Sequence, residues 1–556
     1  MDRIWHKSYD PGVPSSREYP ETCLPFVLEQ NARLVPQSIA TDFFGARLTY
    51  RQLWDHVLRL ANGLKGMGAG SGTKIAIMLP NTPQCVIAYY AALWLGSVVI
   101  MTNPLYVERE LAHQWKDSEA EFLFILDHLY PKAKKVLPET GIRTTIVTGI
   151  KDYLPFPLRY LYPVKARLKK LFTSVPFDET RVVSFKKMIG NNRPEPIACA
   201  AEPDGLALLQ YTGGTTGISK GAMLTHRNIV SNVVQLASWF PDLNCGKERF
   251  LSVLPFFHVF GLTVALNLAI YTGCSIIAMP RFDADEVIRT IKKKRPTVFP
   301  GVPAIYTALM AHPKVDSFDL TSIRFCVTGA APMPVEIIRR FEHKTHSIIV
   351  EGYGLSEASP VTHANPIHGT HKPGSIGIAL PDTDCRIVDA ETGTFEMPSG
   401  EVGELIVRGP QVMKGYWKNE KETGNALRNG WLYTSDLAFM DGSGYVFIVD
   451  RKKDLVISSG YNIYPREIEE VLYEHPKVHE AAAIGVPHPK KGEAVKVFIV
   501  LKSGETLSRQ EILDWCREKL APYKVPREVE FRDSLPKTLV GKVLRRELRN
   551  QGEGHQ

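Results

Sequence analysis

Residues 49–101 read TYRQLWDHVLRLANGLKGMGAGSGTKIAIMLPNTPQCVIAYYAALWLGSVVIM. Thr49 and Gln52 have the spacing of a capping box, in which each side chain satisfies a backbone N–H left over at a helix start. Leu53, Val57, Leu60 and Leu64 then recur at steps of four, three and four, the period of a helix with one buried face, until Gly66 and Gly68 stop it. KIAIMLP follows as a strand buried on both faces, and a helix over 84–95 leads into a second strand over 98–102. Helix alternating with buried strand predicts an α/β fold built on a parallel sheet.

The same unit recurs outward from this stretch as EFLFIL, TTIVTG, SIIAMP, TVFPGVP, FCVTGA and HSIIVEGYG. Two uncharged runs, Asn81 to Tyr106 and Phe256 to Pro280, are broken by Gly96-Ser97 and by Gly273. They read as helix, turn and strand, not as membrane spans. From about residue 370 the texture changes to strand, Gly-rich turn and strand in DCRIVDAETGTFEMPSGEVGELIVRG, a small β-subdomain. Past Asp450 the polar junction Arg451-Lys-Lys-Asp454 opens a compact pattern of strand LVIS, helix REIEEVLYEH, strands EAAAIGV and VKVFIVL, helix RQEILDWCREKL and strand EVEF. Pro465 suits a first helical turn, and Ser508 with Glu511 forms a second capping box. The predicted organisation is a large N-terminal domain over 1–450, of layered α/β subdomains plus the β-subdomain, a hinge at 451–454 and a small α+β C-terminal domain over 455–556. The final NQGEGHQ reads as a frayed tail.

Across 556 residues, 67 lysines and arginines face 59 aspartates and glutamates, a net charge of +8. With 23% charged and 44% hydrophobic residues, the chain is neither a disordered tail nor a fibrous protein. Its length suits three or four folding units. So small a net charge over such a length excludes a protein built to coat nucleic acid. One segment is lopsided: KDYLPFPLRYLYPVKARLKKLF, 151–172, holds six basic residues against Asp152, interleaved with Tyr153, Phe156, Tyr160, Tyr162 and Phe172. That mixture fits a peripheral contact with anionic lipid; a solvated surface helix with its aromatics facing the core fits equally well. Eight scattered cysteines without a C-x-x-C, and an N-terminus without an apolar core, predict neither disulfides nor zinc nor a signal peptide. The expected location is the cytoplasm, with peripheral attachment to the inner face of the membrane if the basic segment binds lipid.

The sharpest chemical signal is Tyr211-Thr-Gly-Gly-Thr-Thr-Gly-Ile-Ser-Lys-Gly221. Gly213, Gly214 and Gly217 let backbone N–H groups turn toward an anion, Thr212, Thr215 and Thr216 offer hydroxyls, and Lys220 adds positive charge, so the loop is suited to phosphate oxygens. It is not a Walker A loop, which needs G-x-x-x-x-G-K-[ST].

The string YTGGTTGISKGAMLTHRN resembles the signature of the adenylate-forming superfamily of acyl-CoA synthetases, luciferases and peptide-synthetase adenylation domains. Gly352-Tyr-Gly-Leu-Ser-Glu357, Tyr433-Thr-Ser-Asp436, Asp450-Arg-Lys-Lys-Asp454 with Ser459-Gly-Tyr-Asn-Ile-Tyr-Pro465, and Leu535-Pro-Lys-Thr-Leu-Val-Gly-Lys542 resemble later motifs of that superfamily in the expected order. Gly213-Gly214, the AMLTHRN continuation and KDYLPFP look most like bacterial long-chain fatty acyl-CoA ligases. The resemblance implies ATP and Mg2+ as cofactors, coenzyme A as co-substrate, and a two-step reaction through acyl-AMP. It implies Glu357 as magnesium ligand, Ser356 on phosphate, Tyr353 and Gly354 with Ala330 and Ala331 around adenine, and Asp436 with Arg451 on the ribose. Lys542 would bridge carboxylate and α-phosphate, Lys453 would be the pivot of a mobile lid, and Ser459, Gly460 and Tyr461 would line the coenzyme A path. His258 in PFFHVFG and Gly301 in FPGVP would meet the acyl substrate. Three readings stay open: a long-chain fatty acid:CoA ligase, an acyl-AMP ligase that takes a medium-chain or aryl acid or loads a carrier protein, and an inactive lipid-responsive binding protein. The resemblance is also compatible with a homodimer.

Overall fold

The structure, a computed structural model, describes residues 3–168, 173–178, 180–212, 219–331, 333–458, 461–488, 492–538, 541 and 543–552. Thr49 caps the helix Tyr50–Gly66 as its sequence predicts: Gln52 N donates to Thr49 Oγ1 at 3.2 Å and Thr49 N to Gln52 Oε1 at 3.0 Å. The strands Lys74–Met78 and Val98–Met101 pair in parallel, and all twelve residues of the helix Pro83–Trp94 between them are buried. A helix apolar on every side belongs in a core. Here it packs among the layers formed by two large sheets, whose inner faces share one continuous apolar cluster.

The first sheet has seven strands in the order Val182–Ser184, Thr144–Thr148, Phe122–Leu126, Lys74–Met78, Val98–Met101, Leu206–Thr212 and Lys220–Thr225, parallel except for the last. The second has nine, with Ile348–Gly354, Phe325–Thr328, Val298–Gly301, Arg249–Ser252, Ser275–Ala278 and Ile39–Phe43 running in parallel through its middle. A five-stranded sheet including Gly403–Arg408, Trp431–Met440 and Val446–Arg451 forms the β-subdomain. The small domain carries its own five-stranded sheet and its own apolar core around Ile468, Val497 and Ile512.

The run from Phe256 to Pro280 departs from a plain helix, turn and strand. It begins with a wide, five-residue-spaced helix over Gly261–Asn267, continues as one α-turn over Leu268–Tyr271, and ends in Ser275–Ala278. Wide turns of this kind concentrate at functional sites. Among the described residues, no helix is long and apolar enough to cross a membrane. A second departure lies at the C-terminus, where Arg545–Gly552 is helical and the expected tail begins inside that helix.

Asn81 clamps the two large sheets. Its buried amide donates to Ser252 O and Leu254 O at 2.9 and 2.8 Å, and its oxygen accepts from Phe256 N at 2.8 Å. Truncating it strands Leu254 O and Phe256 N away from water, each a loss of about 1–3 kcal/mol, while Ser252 O keeps the Met279 N–H at 3.1 Å. Asn81→Ala is therefore expected to lower the urea midpoint of the large domain by the equivalent of about 2 kcal/mol or more. A shift no greater than that of Thr49→Ala, an exposed cap worth about 1 kcal/mol, contradicts the clamp.

Candidate active site

The site residues gather at the carboxyl ends of the parallel strands, where open α/β sheets bind ligands. On the first sheet, Leu206–Thr212 and Lys220–Thr225 form a hairpin closed by the pair Thr212 and Lys220. Gly213, Gly214, Thr215, Thr216 and Gly217 lie outside the described residues. Lys220 forms an ion pair with Glu422, which starts in the helix Glu420–Ala426, and its ammonium stands 5.4 Å from the Tyr416 ring centre. That pairing holds the Glu422 carboxyl below its ordinary range.

Tyr416 ties this hairpin to the second sheet. Its hydroxyl donates to Glu357 Oε1 at 2.7 Å, while Met413 N donates to Glu357 O at 2.7 Å. Residues 413–417 meet the hairpin at an isolated antiparallel bridge between Tyr416 and Ala222: Met223 N donates to Gly415 O and Trp417 N to Gly221 O, both at 2.8 Å. Glu357 itself sits in the short helical turn Ser356–Ala358 that follows the strand Ile348–Gly354. Neither Tyr416 nor Glu422 is among the residues that the sequence singles out. The extended run VMKGYW before a helix cap at Asn419 was the only local signal, and it carries no charge pattern that points at Lys220.

The nucleoside side is built from one carboxylate. Asp436, nearly buried at 3% exposure, accepts from the Tyr353 hydroxyl at 2.5 Å and pairs with Arg451 Nε at 3.1 Å. Asp436 and Arg451 face each other across adjacent antiparallel strands, so backbone register alone sets that contact. Gly329, Ala330 and Ala331 follow the strand Phe325–Thr328. A Cβ on Gly329 would stand 2.8 Å from Gly352 O, which is why two strand ends approach so closely here. Ala330 at φ +69° and Ser435 at +60° hold left-handed conformations that residues with a Cβ seldom adopt and that collect at functional sites. Thr328 Oγ1, Ser359 Oγ and Gln210 Oε1 are buried without a hydrogen-bond partner among the described residues. Each is within a few residues of the site, and buried polar atoms left open in this way suit a polar ligand.

His258 lies in the turn that precedes the wide helix. Its N–H donates to Pro255 O at 3.1 Å, Leu262 N donates to its carbonyl at 2.9 Å, and Phe260 N donates to its Nδ1 at 3.3 Å. Gln210 Nε2 fixes the adjacent Phe257 carbonyl at 3.2 Å. At Gly301 the missing side chain makes room for Tyr306, whose ring a Cβ would meet at 2.9 Å. The glycine is thus explained by a neighbour within the fold, independently of any acyl chain.

The two domains meet at residues 450–454. Lys452 N donates to Ser435 O at 3.0 Å, and Asp454 N turns back to Arg451 O at 2.9 Å. Asp450, on the last strand of the large domain, accepts from Arg466 N at 2.8 Å and from Arg545 at 3.2 Å, both of the small domain. Arg545 also bonds Glu469 at 2.7 Å and Asp454 at 3.3 Å, and Arg549 bonds Asp454 at 3.0 Å. In this orientation Gly541 comes against the helix Pro303–Met310, with a Cβ there 3.4 Å from Ala304 Cβ. Lys542, Ser459 and Gly460 lie outside the described residues; Tyr461 opens the strand Tyr461–Ile463, opposite Ser458.

Burial lifts the Glu351 carboxyl to about 7, offset by Met333 N at 3.4 Å and the Arg466 charge. From the ordinary carboxyl range up to about 7, the folded chain keeps a proton that the unfolded chain has released, so stability falls as pH rises through that window. Glu351→Gln removes this slope and is expected to gain about 3 kcal/mol on wild type between about pH 4 and pH 8 in urea titrations. Parallel pH profiles for the two proteins contradict the assignment.

A family model described as AMP-binding enzyme matches residues 28–417, and one described as AMP-binding enzyme C-terminal domain matches residues 467–542. The chain is 46% identical over 547 residues to the long-chain-fatty-acid–CoA ligase of Bacillus subtilis (strain 168), covering 98% of this chain and 97% of that one. ATP-bound MatB from Rhodopseudomonas palustris superposes with a TM-score of 0.84 at 30% identity, over 96% of this chain and 99% of that one. Nucleotide-free MatB, over the same shares and at the same identity, gives 0.73. The present chain thus follows the ATP-bound arrangement of that protein more closely.

Proposed function

Since the chain belongs to the AMP-binding enzyme family over both its domains, we propose that these domains take turns at one site to make fatty acyl-CoA. The activity is that of a long-chain fatty acid:CoA ligase: ATP activates the carboxylate to acyl-AMP, and coenzyme A takes the acyl group. The observation that carries the reading is near full-length similarity to a long-chain-fatty-acid–CoA ligase, joined to a site in which Lys220, Glu357, Asp436 and Arg451 converge at the strand ends.

Attack of a carboxylate on the α-phosphate brings two anions together, so cationic and hydrogen-bonding groups must offset the charge. Thr212 and Lys220 would frame the phosphates, with the glycines and threonines of the loop between them. Lys220 then exchanges its Glu422 partner for phosphate oxygen. Asp436 would accept the ribose hydroxyls in place of the Tyr353 hydroxyl, with Arg451 holding its other oxygen. Tyr353, Gly354, Ala330 and Ala331 would border the adenine, and Ser356 a phosphate.

Mg2+ fits Glu357. The ion is usually bound through one or two carboxylates plus phosphate oxygens and water, and Tyr416 fixes this carboxylate through one oxygen. Among the described residues no group of three or more His, Cys, Asp and Glu is placed to cage a metal, and a phosphate-borne ion needs none. When bound, it would neutralise developing charge on the phosphates.

Lys542 would bridge carboxylate and α-phosphate in the first half-reaction; the nearness of Gly541 to Ala304 supports that orientation. For the second half the lysine must leave, and a turn about Lys453 would bring Ser459, Gly460 and Tyr461 toward the entering thiol. Such a rotation breaks the bonds from Arg466 and Arg545 to Asp450 while keeping those to Asp454 and Glu469. Asp450 is thereby the latch of the first orientation. His258 and Gly301 would lie along the acyl substrate. A long-chain acid partitions into bilayers, so the enzyme would work in the cytoplasm with peripheral membrane contact through 151–172; a homodimer is a further expectation.

Lys542→Ala is expected to cut pyrophosphate release by a factor of about 100 or more while sparing most thiolysis of supplied acyl-AMP. Equal loss in the two half-reactions contradicts the assigned role.

A further inference from the structure

The helix Leu158–Leu168 turns its apolar stripe to solvent. Leu158, Leu161, Val164 and Leu168 follow one another at steps of three, three and four, one face of a helix, and all are exposed, Leu168 by 82%. Phe156 just before it is 78% exposed. Tyr162, on another side of the helix, is half-buried and within electrostatic reach of Asp127 and Arg281. Core packing therefore does not account for the stripe, and exposed apolar surface of this extent marks an interaction site.

The helix is not alone on its side of the molecule. Asp127 follows the carboxyl end of the strand Phe122–Leu126, and Arg281 follows that of Ser275–Ala278. The helix thus sits at the carboxyl edge of both large sheets, the edge that bears the active site. On that same edge, after Val98–Met101, Leu105 and Val107 project at 65% and 60% exposure beside the exposed Glu108, Arg109 and Glu110, where Lys135 pairs with Glu108 at 2.7 Å. Lys132 braces their loop, donating to Pro104 O at 3.0 Å and Tyr106 O at 2.7 Å. The strands ahead of the two projections are three places apart, about 15 Å across the sheet. Exposed Lys151 and Arg159 accompany the helix, and the 151–172 segment has six bases to one acid. Lys165 and Arg167 belong to the helix, while Lys169 and Lys170 lie outside the described residues.

We propose that the helix Leu158–Leu168 and the loop 103–107 form one lipid-docking rim that seats the carboxyl edge of both sheets, and with it the active site, on an anionic bilayer. The rim presents two separated apolar wedges, the helix among a basic excess, which match acyl chains beneath anionic headgroups. The assignment rests on the fatty-acid reading, since an acid dissolved in the bilayer then leaves it on the side where the enzyme consumes it.

The test is co-sedimentation of the full-length enzyme with vesicles of phosphatidylcholine alone and with phosphatidylglycerol added, run beside turnover of water-soluble octanoate without vesicles. Wild type is expected to prefer the anionic vesicles. Leu161→Ser with Leu168→Ser, and separately Leu105→Ser with Val107→Ser, are each expected to weaken binding about tenfold with octanoate turnover unchanged. Binding equal to wild type in either pair, or intact turnover with no vesicle binding by wild type, overturns the rim. So does a wild-type dimer that the same substitutions dissociate without any lipid binding, which would make this face a contact between two copies. Vesicle binding lost in both pairs, with no acid turned over by wild type, supports the rim and overturns the fatty-acid reading instead.

Discussion

The placement of the small domain depends on the carboxylate of Asp450. It belongs to the last strand of the large domain, yet it accepts from Arg466 N and Arg545 of the small one. Asp450 and Glu469 are drawn out of water by the same guanidinium, and burial pushes the Glu469 carboxyl upward. Breaking one partner of such a buried cluster leaves a desolvated charge, a far larger loss than the net worth of the pair. The cluster therefore has two well-defined conditions, formed or broken, and few in between. While formed, it sets Gly541 against Ala304, beside the carboxyl end of Val298–Gly301.

The same logic of shared partners runs through the site. Tyr416 touches the environments of both Lys220 and Glu357, and Asp436 is divided between Tyr353 and Arg451. Each of these charged groups already has a partner of opposite or complementary character, so under the proposed function anionic substrates would enter by exchange rather than by filling bare charges. Exchange keeps like charges from being buried unpaired at any stage, which in a low-dielectric cleft is the dominant constraint.

Much of this architecture was legible from residue patterns. The capping box at Thr49, the central strands of both large sheets and, in the small domain through Glu528–Phe531, both helices and every strand but Tyr461–Ile463 follow from periodicity and cap chemistry, because those are local effects; Ile39–Phe43, Val182–Ser184 and Arg249–Ser252 carry no such signal. The family resemblance set Asp436 and Arg451 on one sugar without pairing them to each other, and strand register is what brings the two side chains together. What stayed hidden was long-range. Glu422 and Tyr416 lie some two hundred residues from Lys220, and nothing in their own neighbourhood marks them as its partners. The wide helix Gly261–Asn267 reads as an ordinary apolar helix, since its altered spacing comes from packing against other elements. The apolar stripe of Leu158–Leu168 has the pattern of a core face, and only the fold reveals that it looks outward.

The central claim is that two domain orientations share one active site and that Asp450 holds the first. It is tested most directly by the distance between spin labels at Lys314→Cys and Gln510→Cys in a Cys245→Ser background, with and without Asp450→Asn. With ATP and fatty acid the account predicts one distance. With a non-hydrolysable acyl-adenylate and coenzyme A it predicts a second, and Asp450→Asn populates that second distance even before coenzyme A is added. A single distance under every condition, or an Asp450→Asn protein that matches the parent throughout, contradicts it.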